Sequence, residues 1–156
     1  MPTAENFLLP NEPTWICACS ASIARCWRST ARYGQWTLVA EIRDEVASRA
    51  ERELVSDRPG RAFDRAGHGR HAMEPRTSAR TQEKRRFAHR VAQAIDRAVG
   101  TGAASRIVLL AGPKFLGLLR DELGPEARAA VVFEAAKNLT ALDAAAIRHY
   151  FTPRKD

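Results

Sequence analysis

The chain has 156 residues, a formal net charge of +7, 45% hydrophobic and 28% charged residues. That length suits one domain and not two enzyme lobes, and the balance excludes wholesale disorder and fibrous repeats. No stretch approaches the roughly 18 apolar residues of a membrane-crossing helix, so no membrane insertion is expected. The opening MPTAENFLLPNEP lacks a basic start, a long apolar run and a cleavage pattern, which reads as a cytoplasmic protein without a secretory signal. Cys17, Cys19 and Cys26 are an odd, crowded set, closer to reduced thiols than to a disulfide framework.

In chain order, residues 1–13 read as a flexible lead-in, with prolines 2, 10 and 13 and little periodicity. Trp15 to Ser20 and Ile23 to Arg28 are compact apolar runs suited to strands, joined by Ala21 and Ser22. After a turn at Gly34, Gln35 to Ile42 sets Trp36, Leu38, Ala40 and Ile42 against Gln35, Thr37, Val39 and Glu41, the period of a half-buried strand. From 44 to 77 the pattern breaks into glycines, prolines and arginines, and a long basic loop is expected there. Ser78 is the expected N-cap of a helix to about Val99, with Phe87, Val91, Ile95 and Ala98 on one face and Gly100 as its stop.

Arg106 to Ala111 (RIVLLA) is a continuous apolar run of the kind buried on both faces of a parallel sheet. Lys114 to Leu123 reads as a helix closed by Gly124, with one further turn opened by Pro125, and Val131 to Ala135 as the fifth strand. Thr140, with Asp143 three residues on, is the expected N-cap of a last helix to about Phe151. The expected fold is α/β: a single domain over 14–152 built on a mixed five-stranded sheet of ribonuclease-H-like order 3-2-1-4-5, with helices on its faces.

The charge is concentrated. Between Arg58 and Arg90 there are ten Lys or Arg against three acids, an excess equal to the net charge of the whole chain. Arg58, Arg61, Arg65, Arg70, Arg76, Arg80, Lys84 and Arg85 are the candidate polyanion contacts, the alternative being a solvated arginine-rich face. Gly112 and Lys114, between a strand end and a helix start, form a second candidate anion site, although glycine and proline there are also normal connector chemistry. The first strand, WICACS, carries no acid for a two-metal nuclease. Cys17 and Cys19 with His68 and His71 lack the usual zinc spacing, so the cysteines read as core and neither metal nor cofactor is expected.

Several strings together resemble one bacterial family, the proteins required for attachment to host cells: ELVSDRPGRAFD (53–64), GRHAMEPRT (69–77), RFAHRVA (86–92), PKFLGLLR (113–120) and KNLTALD (137–143). The resemblance covers nearly the whole chain from Thr14 and brings no catalytic residues with it. Family members commonly have Asp at the position of Ser20 and Arg at that of Ile23. The order of elements is more distantly similar to the middle domain of archaeal and eukaryotic release factors and Pelota proteins, whose HGRGGQ loop precedes a long basic helix. GHGRHAM (67–73) matches its HGR at His68, Gly69 and Arg70, but His71, Ala72 and Met73 replace the GGQ, so peptide release is not implied.

The loop motif of interest is therefore His68, Gly69, Arg70, His71, Met73 and Glu74. Three functions follow in order of expectation: a non-catalytic module contacting RNA or the ribosome, an adhesion protein acting directly at the host surface, and a hydrolase using Asp64, Glu74, His68 or His71.

Overall fold

The computed structural model describes residues 7–46, 49 and 69–151. Strands β1 (Thr14–Cys19), β2 (Ile23–Ser29) and β3 (Thr37–Arg43) form an antiparallel meander. The long helix α1 (Gly69–Gly100) then leads to β4 (Arg106–Ala111), α2 (Pro113–Glu122), α3 (Pro125–Ala130), β5 (Val131–Ala135) and α4 (Ala144–Tyr150). The sheet runs β3-β2-β1-β4-β5, with β4 parallel to both β1 and β5, so the expected α/β fold with strand order 3-2-1-4-5 is present.

Both faces of the sheet are covered, which is why its central strands lack polar alternation. Trp15, Cys17 and Cys19 of β1 and Ile107, Leu109 and Ala111 of β4 face a core with Phe87, Val91 and Ile95 of α1 and Phe115, Leu116 and Leu119 of α2. The intervening Ile16, Ala18, Val108 and Leu110 face a second core with Phe133 and Ile147. That second core also takes in Phe7 and Leu9.

The lead-in expectation is thus corrected from Phe7 onward. The Phe7 ring stacks on Phe133 with centroids 4.8 Å apart. The Pro13 carbonyl accepts from the N–H groups of Ser105 and Arg106 at 2.7 and 3.2 Å. Aromatic burial against an open sheet face outweighs the entropy of holding a short proline-bearing segment.

Four other details differ from the sequence reading. In β3 the simple alternation fails: Cys26 pairs with Ala40 and Trp27 with Leu38, an irregularity that leaves Val39 over. Ala40 and Ile42 pack toward the α1 core, whereas Trp36 packs in the opposite one. One extra residue in an edge strand reverses the faces beyond it.

Helix α1 starts at Gly69, not at Ser78, so 69–77 of the expected loop is helical and Pro75 lies within it. Proline in a helix interior costs about 3 kcal/mol, and the good helix formers on either side of it, Ala72 to Glu74 and Arg80 to Arg86, oppose that cost. Gly124 is not a left-handed stop: its φ is −71°, and it is the N-cap of α3. Its N–H donates to Asp96 Oδ1 at 3.0 Å, and a Cβ there would approach that oxygen to 3.3 Å. Finally, Asp143, not Thr140, caps α4, accepting from Ala146 N–H at 2.9 Å. Thr140 instead donates to Asn138 Oδ1 through both its hydroxyl and its N–H. A carboxylate directly at the helix start takes an orphan N–H that the upstream hydroxyl cannot reach.

Candidate nucleic-acid interface

Helix α1 is divided by its burial. Phe87, Ala88, Val91, Ala92, Ile95 and Ala98 are buried at helical spacing and hold its C-terminal half on the sheet. Upstream, Ser78 to Arg86 are exposed except for the half-buried Glu83. This stretch carries Arg80, Lys84, Arg85 and Arg86. At about 100° per residue the three later cations lie roughly 40°, 140° and 240° around the helix from Arg80. They surround most of the circumference instead of forming one stripe.

Among the described residues no carboxylate pairs with any of these four. Their long, exposed side chains reach outward with no carboxylate partner among the described residues to displace, which suits them to an external anion. Ser78, Thr81 and Gln82 line a shallow hollow beside Arg85 and add neutral hydrogen-bonding groups to the cations. Arg90, one turn further on, is tied down: its guanidinium donates to the Arg43 carbonyl at 3.4 Å and sits 5.8 Å over the Phe87 ring.

Of the residues singled out by sequence, Arg80, Lys84 and Arg85 are on this segment, and Arg86 joins them. Gly69, Arg70, His71, Met73, Glu74 and Arg76 lie on the first turns of α1. Arg58, Arg61, Arg65 and His68 lie outside the described residues, as does Asp64.

Gly112 and Lys114 stand at the start of α2, beyond the C-terminal end of β4. Strand β1 ends beside them, with Cys19 paired to Ala111. Connections leave these two parallel strands in opposite directions, the place where open α/β sheets commonly take ligands. Gly112 makes no side-chain cap, and Lys114 is exposed. Ser20, at the same sheet end, is occupied with its own turn: its Oγ accepts from the N–H groups of Ser22 and Ile23, both at 3.2 Å. Here the serine shapes a hairpin, work that its hydroxyl performs locally.

The three cysteines are fully buried and free. A hydrogen bond to Cys26, followed by burial, pushes the Cys17 thiol well above the ordinary range, and burial does the same to Cys19. Protonated thiols sealed in a core are neither nucleophiles nor metal ligands at neutral pH. Among the described residues no three His, Cys, Asp or Glu side chains cluster to hold a metal ion. No helix among them is long and apolar enough to cross a membrane.

Sequence reading missed one contact of the long helix that only the fold creates. His89 Nδ1 lies 2.9 Å from Glu122 Oε2, linking α1 to the end of α2. The separation in sequence gives no local signal for such a pair.

A family model described as "Protein required for attachment to host cells" matches residues 15–151, all of the sheet but its first residue, Thr14, and all the described helices. The chain belongs to this host-attachment family. No curated protein matches it. The matched span includes both halves of α1, so the basic segment is an integral part of the host-attachment domain and not an appendage to it.

Proposed function

We propose that this host-attachment protein is a non-catalytic binding module that contacts RNA, with the ribosome as the expected RNA-bearing partner, through the basic N-terminal half of α1. The supporting observation is the exposed set Arg80, Lys84, Arg85 and Arg86, unpaired among the described residues, on a helix whose other half is anchored in the core. Anchoring presents the cations in a fixed array, which lowers the ordering cost of binding. Exposed guanidinium and ammonium groups neutralise phosphates and release counterions, so the interaction is salt-dependent and tolerant of sequence. No aromatic side chain accompanies the cations on the exposed Ser78–Arg86 segment, which favours backbone contact over base stacking.

This reading places the protein in the cytoplasm, where its RNA partners are, and makes its effect on attachment an indirect one. Co-sedimentation of the purified chain with ribosomes across a salt series is the direct test. Binding that is firm at low salt and lost progressively as salt rises supports it. Absence of RNA or ribosome binding even at low salt rejects it. Fractionation that finds the protein at the cell surface supports direct adhesion instead.

A further inference from the structure

On the other side of the sheet from α1, three separated segments enclose a cleft of about 180 Å³. Phe7 to Leu9 form one wall, the β2–β3 connection contributes Arg32, Tyr33 and Trp36, and the end of α4 contributes Arg148 and Phe151. We infer that this cleft is a binding site for a small planar aromatic anion, a single ring carrying one carboxylate or phosphate.

The walls supply both halves of that chemistry. Phe7, Trp36 and Phe151 form a connected aromatic floor: Phe7 meets Phe151 edge-on at 5.7 Å, and Trp36 lies 6.4 Å from Phe151. Tyr33 stands at the mouth, 84% exposed, with its ring available to a ligand. Arg32 and Arg148 both line the cleft, and none of the described lining residues is acidic. Arg148 sits 5.9 Å over the Trp36 ring, placing a cation next to an aromatic surface where a second ring would lie. Arg32 donates through Nε to the Leu9 carbonyl at 2.9 Å, which holds its planar fork in place. Its two Nη groups have no carboxylate among the described residues.

Size narrows the ligand. An apolar cavity of roughly 150 Å³ accommodates benzene, whereas drug-sized ligands occupy about 300 Å³ or more. One ring with a charged substituent matches the space, and a dinucleotide or a lipid chain does not. Two hydrogen bonds tie the connection to the N-terminal wall: the Arg32 N–H donates to Asn11 Oδ1 and its Nε to the Leu9 carbonyl, both at 2.9 Å, while Gly34 N–H donates to the Ala31 carbonyl at 3.0 Å within the connection itself. The site stands on residues separate from the basic half of α1, and its failure would leave the RNA reading untouched.

Calorimetry and tryptophan fluorescence of the full chain with 4-hydroxybenzoate and phenyl phosphate provide the test, with benzamide as the neutral ring and cyclohexanecarboxylate as the non-aromatic anion. At least one aromatic anion should bind, and the tighter of the two identifies the headgroup. Each control should bind at least about ten-fold more weakly, as expected for losing a charge-assisted hydrogen bond or ring stacking. Arg148→Gln and Tyr33→Ala should each weaken binding, and Trp36→Phe should remove the fluorescence change while the heat of binding remains. Because Tyr33 is exposed, Tyr33→Ala keeps the test decisive if Arg148→Gln does not fold. The inference is overturned by the absence of binding up to about 10 mM ligand, beyond the weak millimolar range. It is equally overturned if benzamide binds as tightly as the anions, or if folded Tyr33→Ala binds as the wild type does.

Discussion

Replacing Arg80, Lys84, Arg85 and Arg86 together by Gln tests the role of α1 most directly. Gln keeps the helix propensity and most of the side-chain length, and all four positions are exposed, so folding should be preserved. Surface changes of this kind each alter stability by about 0.5 kcal/mol or less. Binding should respond strongly. Each phosphate neutralised contributes about 0.7 to 0.9 to the slope of log affinity against log salt, and three of the four cations, Arg80, Lys84 and Arg85, lie within one half of the helix circumference, so one RNA surface gives a slope of about 2.4. Over a rise from about 50 to about 200 mM salt, that slope corresponds to a loss of roughly 30-fold that the variant should no longer show.

Filter binding or fluorescence anisotropy with a structured RNA, repeated across that salt range, measures the slope. A paired control, Arg97→Gln with Lys137→Gln, removes exposed cations from the anchored end of α1 and from the segment after β5, and should leave the slope unchanged. A wild-type slope in the four-fold variant would refute the assignment to this segment. So would a control that loses as much per charge, because the effect would then be one of net charge alone.

Three further outcomes test the fold that presents this surface. Asp96→Ala should destabilise the protein by about 1–3 kcal/mol in urea denaturation, since it leaves the part-buried Gly124 N–H without its acceptor. Phe7→Ala should cost about 3 kcal/mol or more in the same assay, because it removes a ring stacked on Phe133 and edge-on to Phe151. A loss near zero would mean that the N-terminal segment is not part of the core. Stability should also fall at alkaline pH. Cys17 and Cys19 hold their protons in the folded state to a higher pH than in the unfolded chain. Above about pH 8.5, where ordinary thiols ionise, the unfolded state therefore binds fewer protons and is increasingly favoured as pH rises. Denaturation of Cys17→Ala against pH should show a shallower decline; an identical decline would remove the thiols from the account.

How far the fold was legible follows from the range of the interactions that specify each element. WICACS and RIVLLA announce buried strands because they are covered on both faces, and no polar position survives to confuse the pattern. Phe87, Val91, Ile95 and Ala98 announce a helix because one face is buried and the other solvated. These signals are local, and the sheet order then follows from short, right-handed connections. The basic segment was legible for the same reason, since charge is read directly from residue type.

What the sequence determined by itself is the set of elements, the α/β class, the strand order and the place where the positive charge collects. Only the tertiary structure decided which side of β3 each residue occupies, because a single bulge opposite Cys26 and Trp27 reverses the faces and leaves no mark in the period. It likewise decided that Phe7 and Leu9 belong to the core, that Gly124 answers to Asp96, and that Arg32, Trp36 and Arg148 meet around one cleft. The physical reason is common to all of these. They are contacts between segments distant in the chain, set by sheet pairing and shared burial, and nothing in the neighbouring residues carries their partners' identity.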